Sequence, residues 1–170
     1  VLPTPVLGVV GLVEDAACVV GRAFRRAGDL IVLLGEGRDE LGGSEYLKVE
    51  HGLVRGMPPA LDLAREVALQ RVLVRAAAAG LACSAHDCSD GGVAITLAEC
   101  CFDVGVGAVV NLASVETSAA SFGEGATLFG ESASRAVVSV RKEQVEELMA
   151  LAATEGVPAA LIGRVGGNRL

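Results

Sequence analysis

Short runs of valine, isoleucine and leucine, each closed off by glycine, proline or an acidic residue, alternate along this chain with alanine-rich helical stretches. That alternation restricts the fold more than any other feature. Six runs read as strands: Val6–Val13, Asp29–Leu34, Leu81–Ala85, Val104–Leu112, Arg135–Val140 and Ala159–Val165. Three stretches read as helices. The first is Ala60–Ala79, opened by Pro58-Pro59, carrying Asp62 and Glu66 near its positive end and stopped by Gly80. Its apolar face is expected to hold Leu63, Val67, Leu69, Val72, Leu73 and Ala76. The second, Gly92–Phe102, reads as a largely buried helix. The third, Lys142–Thr154, points Val145, Leu148, Met149 and Ala152 inward and ends at Gly156. Gly35–Ser44 and Ser114–Gly125 read as loops, and Glu45–Gly56 as irregular. Strands and helices alternate without strict βαβ regularity, so the expected fold is a layered α/β or α+β domain.

The length of 170 residues is ample for one domain and short for two. With 52% apolar and 21% charged residues the chain is excluded from intrinsic disorder. Fourteen basic residues face 21 acidic ones, and the net charge of −7 argues against a nucleic-acid or anionic-membrane partner. No apolar run approaches the roughly 18–20 residues of a membrane span, and Val6–Val13 lacks the basic leader of a signal peptide. The five cysteines, Cys18, Cys83, Cys88, Cys100 and Cys101, form neither a disulfide framework nor a zinc pattern. They are expected to be buried, reduced thiols of a cytoplasmic protein. The chain opens Val1-Leu2-Pro3-Thr4-Pro5 and stops in a Gly166-Gly167 turn, which suggests a segment of something longer.

Three segments can carry chemistry. The strongest is His86–Gly92, HDCSDGG, where a strand hands over to a helix, a usual ligand position in layered α/β folds. Asp87 and Asp90 offer oxygen to a hard cation such as Mg²⁺. Ser89 offers a hydroxyl, and Gly91-Gly92 lets backbone N–H groups approach an anion at the helix start. The alternative is that Asp90 or Ser89 caps the helix and the glycines only make the turn. In Asp39–Tyr46, DELGGSEY, no lysine follows the glycines as a phosphate-binding P-loop requires. In Leu128–Val140, LFGESASRAVVSV, Glu131 reads either as a metal- or substrate-facing carboxylate or as a surface acid. Arg135 opens a strand, so its spacing from Glu131 implies no helical ion pair. His86 and His51 form no paired motif. Cys83 and Cys88 flank the turn, but no base stands beside them in sequence, so they read as small apolar residues.

Taken in order, LPTPVLGVVGLVED (2–15), DELGGSEYL (39–47), PPALDLAREVALQ (58–70), SAHDCSDGGVAITLAE (84–99) and LFGESASRAVVSV (128–140) resemble phosphoribosylformylglycinamidine synthase. The resemblance covers nearly the whole chain and matches the carboxy-terminal end of the synthetase subunit. The wider superfamily includes aminoimidazole ribonucleotide (AIR) synthetase, selenophosphate synthetase, a hydrogenase-maturation protein and thiamine-monophosphate kinase.

The resemblance implies a helix/sheet/helix, PurM-like carboxy-terminal domain with partly ferredoxin-like topology. Residues 1–15 would be the tail of a preceding amino-terminal-type module. Residues 16–170 would be an AIR-synthase-related carboxy-terminal module lacking its last residues. The implied reaction of the parent is ATP-dependent conversion of formylglycinamide ribonucleotide and glutamine-derived ammonia to formylglycinamidine ribonucleotide, in purine biosynthesis. ATP would activate the amide oxygen as a phosphate ester that ammonia then displaces. In the family's large single-chain form, the aspartate and serine of the HDCSDGG turn belong to an auxiliary nucleotide site. Asp87 is thereby implied as a Mg²⁺ ligand and Ser89, with Gly91 and Gly92, as an ATP or ADP contact. No residue of this chain is implied as catalytic, and the piece alone is expected to be inactive. Implied partners are the remaining modules of the subunit, a glutaminase subunit and a small accessory subunit. Other readings are a structural nucleotide-binding or scaffolding module, or another ATP-dependent enzyme of the superfamily.

Overall fold

The computed structural model describes residues 7–115 and 123–170. In chain order its elements are β1 (Leu30–Leu34), α1 (Glu45–His51), α2 (Leu63–Ala78), β2 (Ala82–Asp87), α3 (Gly92–Phe102), β3 (Ala108–Val110), α4 (Glu124–Phe129), β4 (Ala136–Val140), α5 (Val145–Thr154) and β5 (Ala159–Val165). The strands form one sheet in the order β2-β4-β1-β5-β3, every neighbouring pair antiparallel. Without β3, this is the order of two interleaved βαβ units, β1-α2-β2 and β4-α5-β5, the ferredoxin-like pattern. The short β3 extends the sheet beyond β5.

Both faces of the sheet are covered, which is why β1 reads as an unbroken apolar run and β4 as one broken only by Ser139, rather than as alternating strands. Successive side chains point to opposite faces. Val32, Leu34, Ala136, Val138 and Val140 pack with Leu69, Val72 and Ala76 of α2 and Leu148 and Ala152 of α5. Ile31, Leu33, Val137, Ile162 and Val165 pack with Phe24 and with Val93, Leu97 and Cys100 of α3. The expected helix/sheet/helix arrangement is therefore present. On the α3 face the buried hydroxyls of Ser84 and Ser139 satisfy each other at 2.6 Å.

Several expectations need correction. Within Val6–Val13, residues 7–13 form no strand, and Val9 and Val10 are 95% and 99% exposed. They pair with neither edge strand of the sheet, β2 or β3. Residues 1–6 lie outside the described residues. The first long helix begins at Leu63 rather than Ala60, because the Asp62 carboxylate accepts from the Ala64 and Arg65 amides and sets the cap there. Leu63 and Val67, expected inward, face solvent, and the buried stripe is Leu69, Val72 and Ala76.

Glu45–Gly56 is not wholly irregular. Ser44 caps α1 and Gly52, at φ +64°, closes it. The strand expected over Val104–Leu112 shrinks to Ala108–Val110, with Gly105 at positive φ turning the chain before it. Lys142–Gln144 is a 3-10 turn ahead of α5. Within Ser114–Gly125, residues 116–122 lie outside the described residues, and α4 starts at Glu124. All five cysteines are free, but only Cys88 and Cys100 are buried. Cys83 and Cys101 are half-buried and Cys18 is exposed. Among the described residues no helix is long and apolar enough to cross a membrane.

Candidate functional site

The site begins where β2 runs out. Asp87 is its last residue, paired in register with Ala136 at the start of β4, and the chain then turns through Cys88–Asp90 into α3. The Asp87 side chain is 72% exposed, and its two oxygens are engaged from within the chain. One stands 3.1 Å from His86 Nδ1, and the other accepts the Ser89 hydroxyl. The Ser89 hydrogen bond, with a smaller contribution from His86, holds the Asp87 carboxyl below its usual range despite some opposing desolvation. The other His86 nitrogen lies 2.8 Å from Glu99 Oε2 on α3, so the ring is fixed between two carboxylates. Asp90 is exposed beside the turn.

Gly91 and Gly92 adopt φ +77° and +66°. A side chain on Gly91 would collide with Ile95, and one on Gly92 with the Gly130 carbonyl, so the bare backbone is required here. Neither Asp90 nor Ser89 caps α3. The cap residue is Gly91, with no side-chain cap bond. Its N–H donates to Glu131 Oε1 at 2.8 Å, and the Gly92 N–H donates to the Ser89 carbonyl at 3.0 Å. Both glycine amides therefore already have acceptors within the chain.

Glu131 brings together the three segments singled out in the sequence. The same Oε1 that accepts from Gly91 also accepts from the Glu45 N–H, at 2.9 Å, at the start of α1. Phe129 stacks on Tyr46 with ring centroids 4.9 Å apart, and His51 meets the edge of Tyr46. Arg135, 4% exposed, donates to the carbonyls of Gly130 at 2.6 Å and Ser132 at 3.0 Å. Burial lowers its pKa from the ordinary arginine value.

A cleft of about 560 Å³ opens against the turn, lined among others by Asp87, Ser89, Asp90, Glu131, Ser134 and Glu66. Sequence reasoning missed Ser134 and Glu66 as cleft residues, and Glu99 as the partner of His86. The four-residue step from Glu66 to Gln70 and the helical phase of α2 do not show that Glu66 reaches Ser134, ahead of β4. Cys88 lies beneath the turn, where burial pushes its thiol up to about 11, a neutral packing group rather than a nucleophile. Cys83 lies on β2, five residues before Cys88, and burial raises its pKa as well.

The donor set bears on the implied Mg²⁺. Among the described residues no group of three or more His, Cys, Asp or Glu side chains is arranged to hold a metal. A closed protein cage is thus not built here. Mg²⁺, however, is commonly held by one or two carboxylates with phosphate and water oxygens completing the octahedron. The exposed, readily ionised Asp87 beside the Ser89 hydroxyl fits that mode.

Comparison with known proteins agrees with this architecture. The chain is 48% identical over all of its 170 residues to phosphoribosylformylglycinamidine synthase subunit PurL of Moorella thermoacetica, covering 22% of that protein. It is 50% identical over 169 residues, 99% of this chain, to the same subunit of Thermobifida fusca, covering 21% of it. The chain thus spans about a fifth of the length of these relatives. Among solved structures, Thermotoga maritima PurL complexed with FGAR superposes with a TM-score of 0.77 at 21% identity, covering 88% of this chain and 26% of that one. Escherichia coli HypE, a hydrogenase maturation protein, superposes with a TM-score of 0.64 at 18% identity over 88% of this chain and 47% of its own. Residues 26–170 match the family model of the AIR synthase related protein, C-terminal domain. With the sheet order, the two covered faces and the turn at Asp87 all in place, this chain belongs to the AIR synthase related protein family, as its C-terminal domain.

Proposed function

We propose that this chain is the carboxy-terminal module of a phosphoribosylformylglycinamidine synthase subunit of the PurL type. The parent's activity is then the ATP-dependent, carbon–nitrogen-bond-forming ligase step of purine biosynthesis. The observation that carries this reading is the identity of 48–50% to PurL subunits across the whole chain. The meeting of HDCSDGG, ELGGSEY and LFGES in one corner of the fold supports it. Residues 1–15 belong to the preceding module and 16–170 to this one. The near-complete exposure of Leu7, Val9, Val10 and Leu12 supports that division, because such a run calls for cover from elsewhere. The partners are the other modules of the subunit, a glutaminase and a small accessory subunit, in line with a solved PurLQS assembly from Thermotoga maritima. The compartment is the cytoplasm.

Within the parent, this module holds a nucleotide rather than performing the chemistry. Asp87 is the Mg²⁺ ligand and Ser89 the phosphate contact, with Gly91 and Gly92 shaping the turn that presents them. Solved Thermotoga maritima PurL structures complexed with ATP and with ADP are in line with a nucleotide ligand. When bound, the metal neutralises phosphate charge. This chain's part is to keep Asp87 ionised through Ser89 and His86, and to leave it open to the cleft.

Calorimetric titration of the full-length subunit with Mg-ADP tests this. Asp87→Ala is expected to abolish one Mg-dependent site and Ser89→Ala to weaken it, while an isotherm unchanged by both overturns the assignment. Growth without purine of a synthase-deficient strain supplied with the full-length protein tests the parent reaction.

A further inference from the structure

We propose that Glu131 is a positioning residue that locks α1 and the Ser89–Gly92 turn into one unit, so that a nucleotide phosphate meets Asp87 and Ser89 in a preset geometry. This rests on the nucleotide reading above and adds a coupling to it. One carboxylate oxygen accepts two backbone N–H groups from elements far apart in sequence, Glu45 at 2.9 Å and Gly91 at 2.8 Å. Both donors open helices, where amides lack intrahelical acceptors and negative charge is favoured. Neither amide is taken by the side chain of its own cap residue. Ser44 spends its hydroxyl on Leu47 N, and Gly91 has no side chain to offer its own helix.

Glu131 is itself held on both sides. Arg135 grips the carbonyl of Gly130 before it and that of Ser132 after it. The Glu131 N–H donates to the Glu40 carbonyl at 3.3 Å, and the Ser132 hydroxyl accepts from the Arg38 N–H at 3.0 Å. The Tyr46–Phe129 stack fastens α1 to the same segment. A carboxylate so anchored sets where the turn lies, and with it where Asp87 and Ser89 stand. Were Glu131 instead a placeholder in a phosphate seat made by the two amides, removing it would improve anion binding, so the two roles predict opposite signs.

The test combines amide hydrogen exchange and Mg-ADP titration of the full-length subunit, in wild type, Glu131→Ala and Glu131→Gln. The alanine variant is expected to exchange faster in both 41–52 and 86–95, and to bind Mg-ADP about tenfold more weakly at the Asp87-dependent site. Glutamine retains an acceptor oxygen and is expected to recover much of both. Faster exchange in one segment only or in neither overturns the lock, as does unchanged or tighter Mg-ADP binding. If the alanine variant loosens throughout, Glu131→Asp replaces it. Its carboxylate is one methylene short of both amides and must loosen the two segments without β1–β5, or the proposal fails. If wild type shows no Asp87-dependent nucleotide site, the nucleotide reading falls, and the exchange of the two segments still decides the lock.

Discussion

The hydroxyl of Ser134 donates to Glu66 Oε2 at 2.7 Å, joining the segment before β4 to the first turn of α2 across the mouth of the cleft. Ser134 does so from φ +59°, and among the described residues it is the one non-glycine with positive φ. Such a backbone costs about 1–3 kcal/mol and persists only where its surroundings hold it.

The two contributions at Ser134 separate by substitution. Ser134→Ala keeps the strained backbone and loses the hydrogen bond, so it is expected to destabilise by about 1 kcal/mol. Ser134→Gly loses the bond but relaxes the backbone, and is expected to cost clearly less. Denaturant unfolding of both variants checks the order, and equal losses would show that the backbone there is unstrained.

Arg135 is a buried cation that donates to two backbone carbonyls, those of Gly130 and Ser132. Arg135→Ala leaves the Gly130 and Ser132 carbonyls without that donor and opens space beneath the turn, with an expected loss of about 2–4 kcal/mol. Arg135→Lys supplies charge without the fork that reaches both carbonyls, and recovers only part of it. Melting temperatures of the three proteins check this.

Asp87 is held below the usual carboxylate range chiefly by Ser89. A carboxyl whose folded pKa lies below its unfolded value stabilises at neutral pH, and that contribution fades as acid takes the pH below about 4. Ser89→Ala is expected to move the Asp87 titration upward and to reduce this acid sensitivity. Carboxyl-carbon chemical shifts followed through a pH titration report it, and an unmoved midpoint would count against the Ser89 bond.

Burial pushes the thiols of Cys88 and Cys100 up to about 11 and about 12, whereas Cys18 is exposed. An alkylating reagent at mildly alkaline pH is expected to label Cys18 in the native protein and Cys88 and Cys100 only after unfolding. Thiols raised in the folded state favour folding below pH 9, and that advantage is lost as the pH climbs toward 11 and 12. Peptide mass spectrometry of labelled protein and unfolding curves above pH 9 check both statements.

Much of the architecture was legible in the chain because its strands and helices bury continuous apolar faces. LIVLL at 30–34 and AVVSV at 136–140 are sheet interior, and Leu148 and Ala152 point inward as their spacing requires. Two misreadings have different causes. VLGVVGLV at 6–13 has the composition of a strand but, over its described residues 7–13, pairs with no neighbour, whereas Leu63 and Val67 lie on the side of α2 opposite Leu69, Val72 and Ala76 and so turn to solvent. Local pattern reports what a segment can bury, not whether anything is there to bury it against.

For the site, the sequence alone determined the turn, since Asp87, Ser89 and two glycines between a strand and a helix are a local arrangement that adjacent residues build by themselves. Only the tertiary structure decided the role of Glu131. Its partners at Gly91 and Glu45 come from segments 40 and 86 residues away in the chain, and its acceptor oxygen reaches them because β4 lies beside β2 and Phe129, at the end of α4, stacks on Tyr46 of α1. Residue type and spacing encode short-range hydrogen bonding. A carboxylate that joins two distant helix starts exists only once the sheet has brought them together.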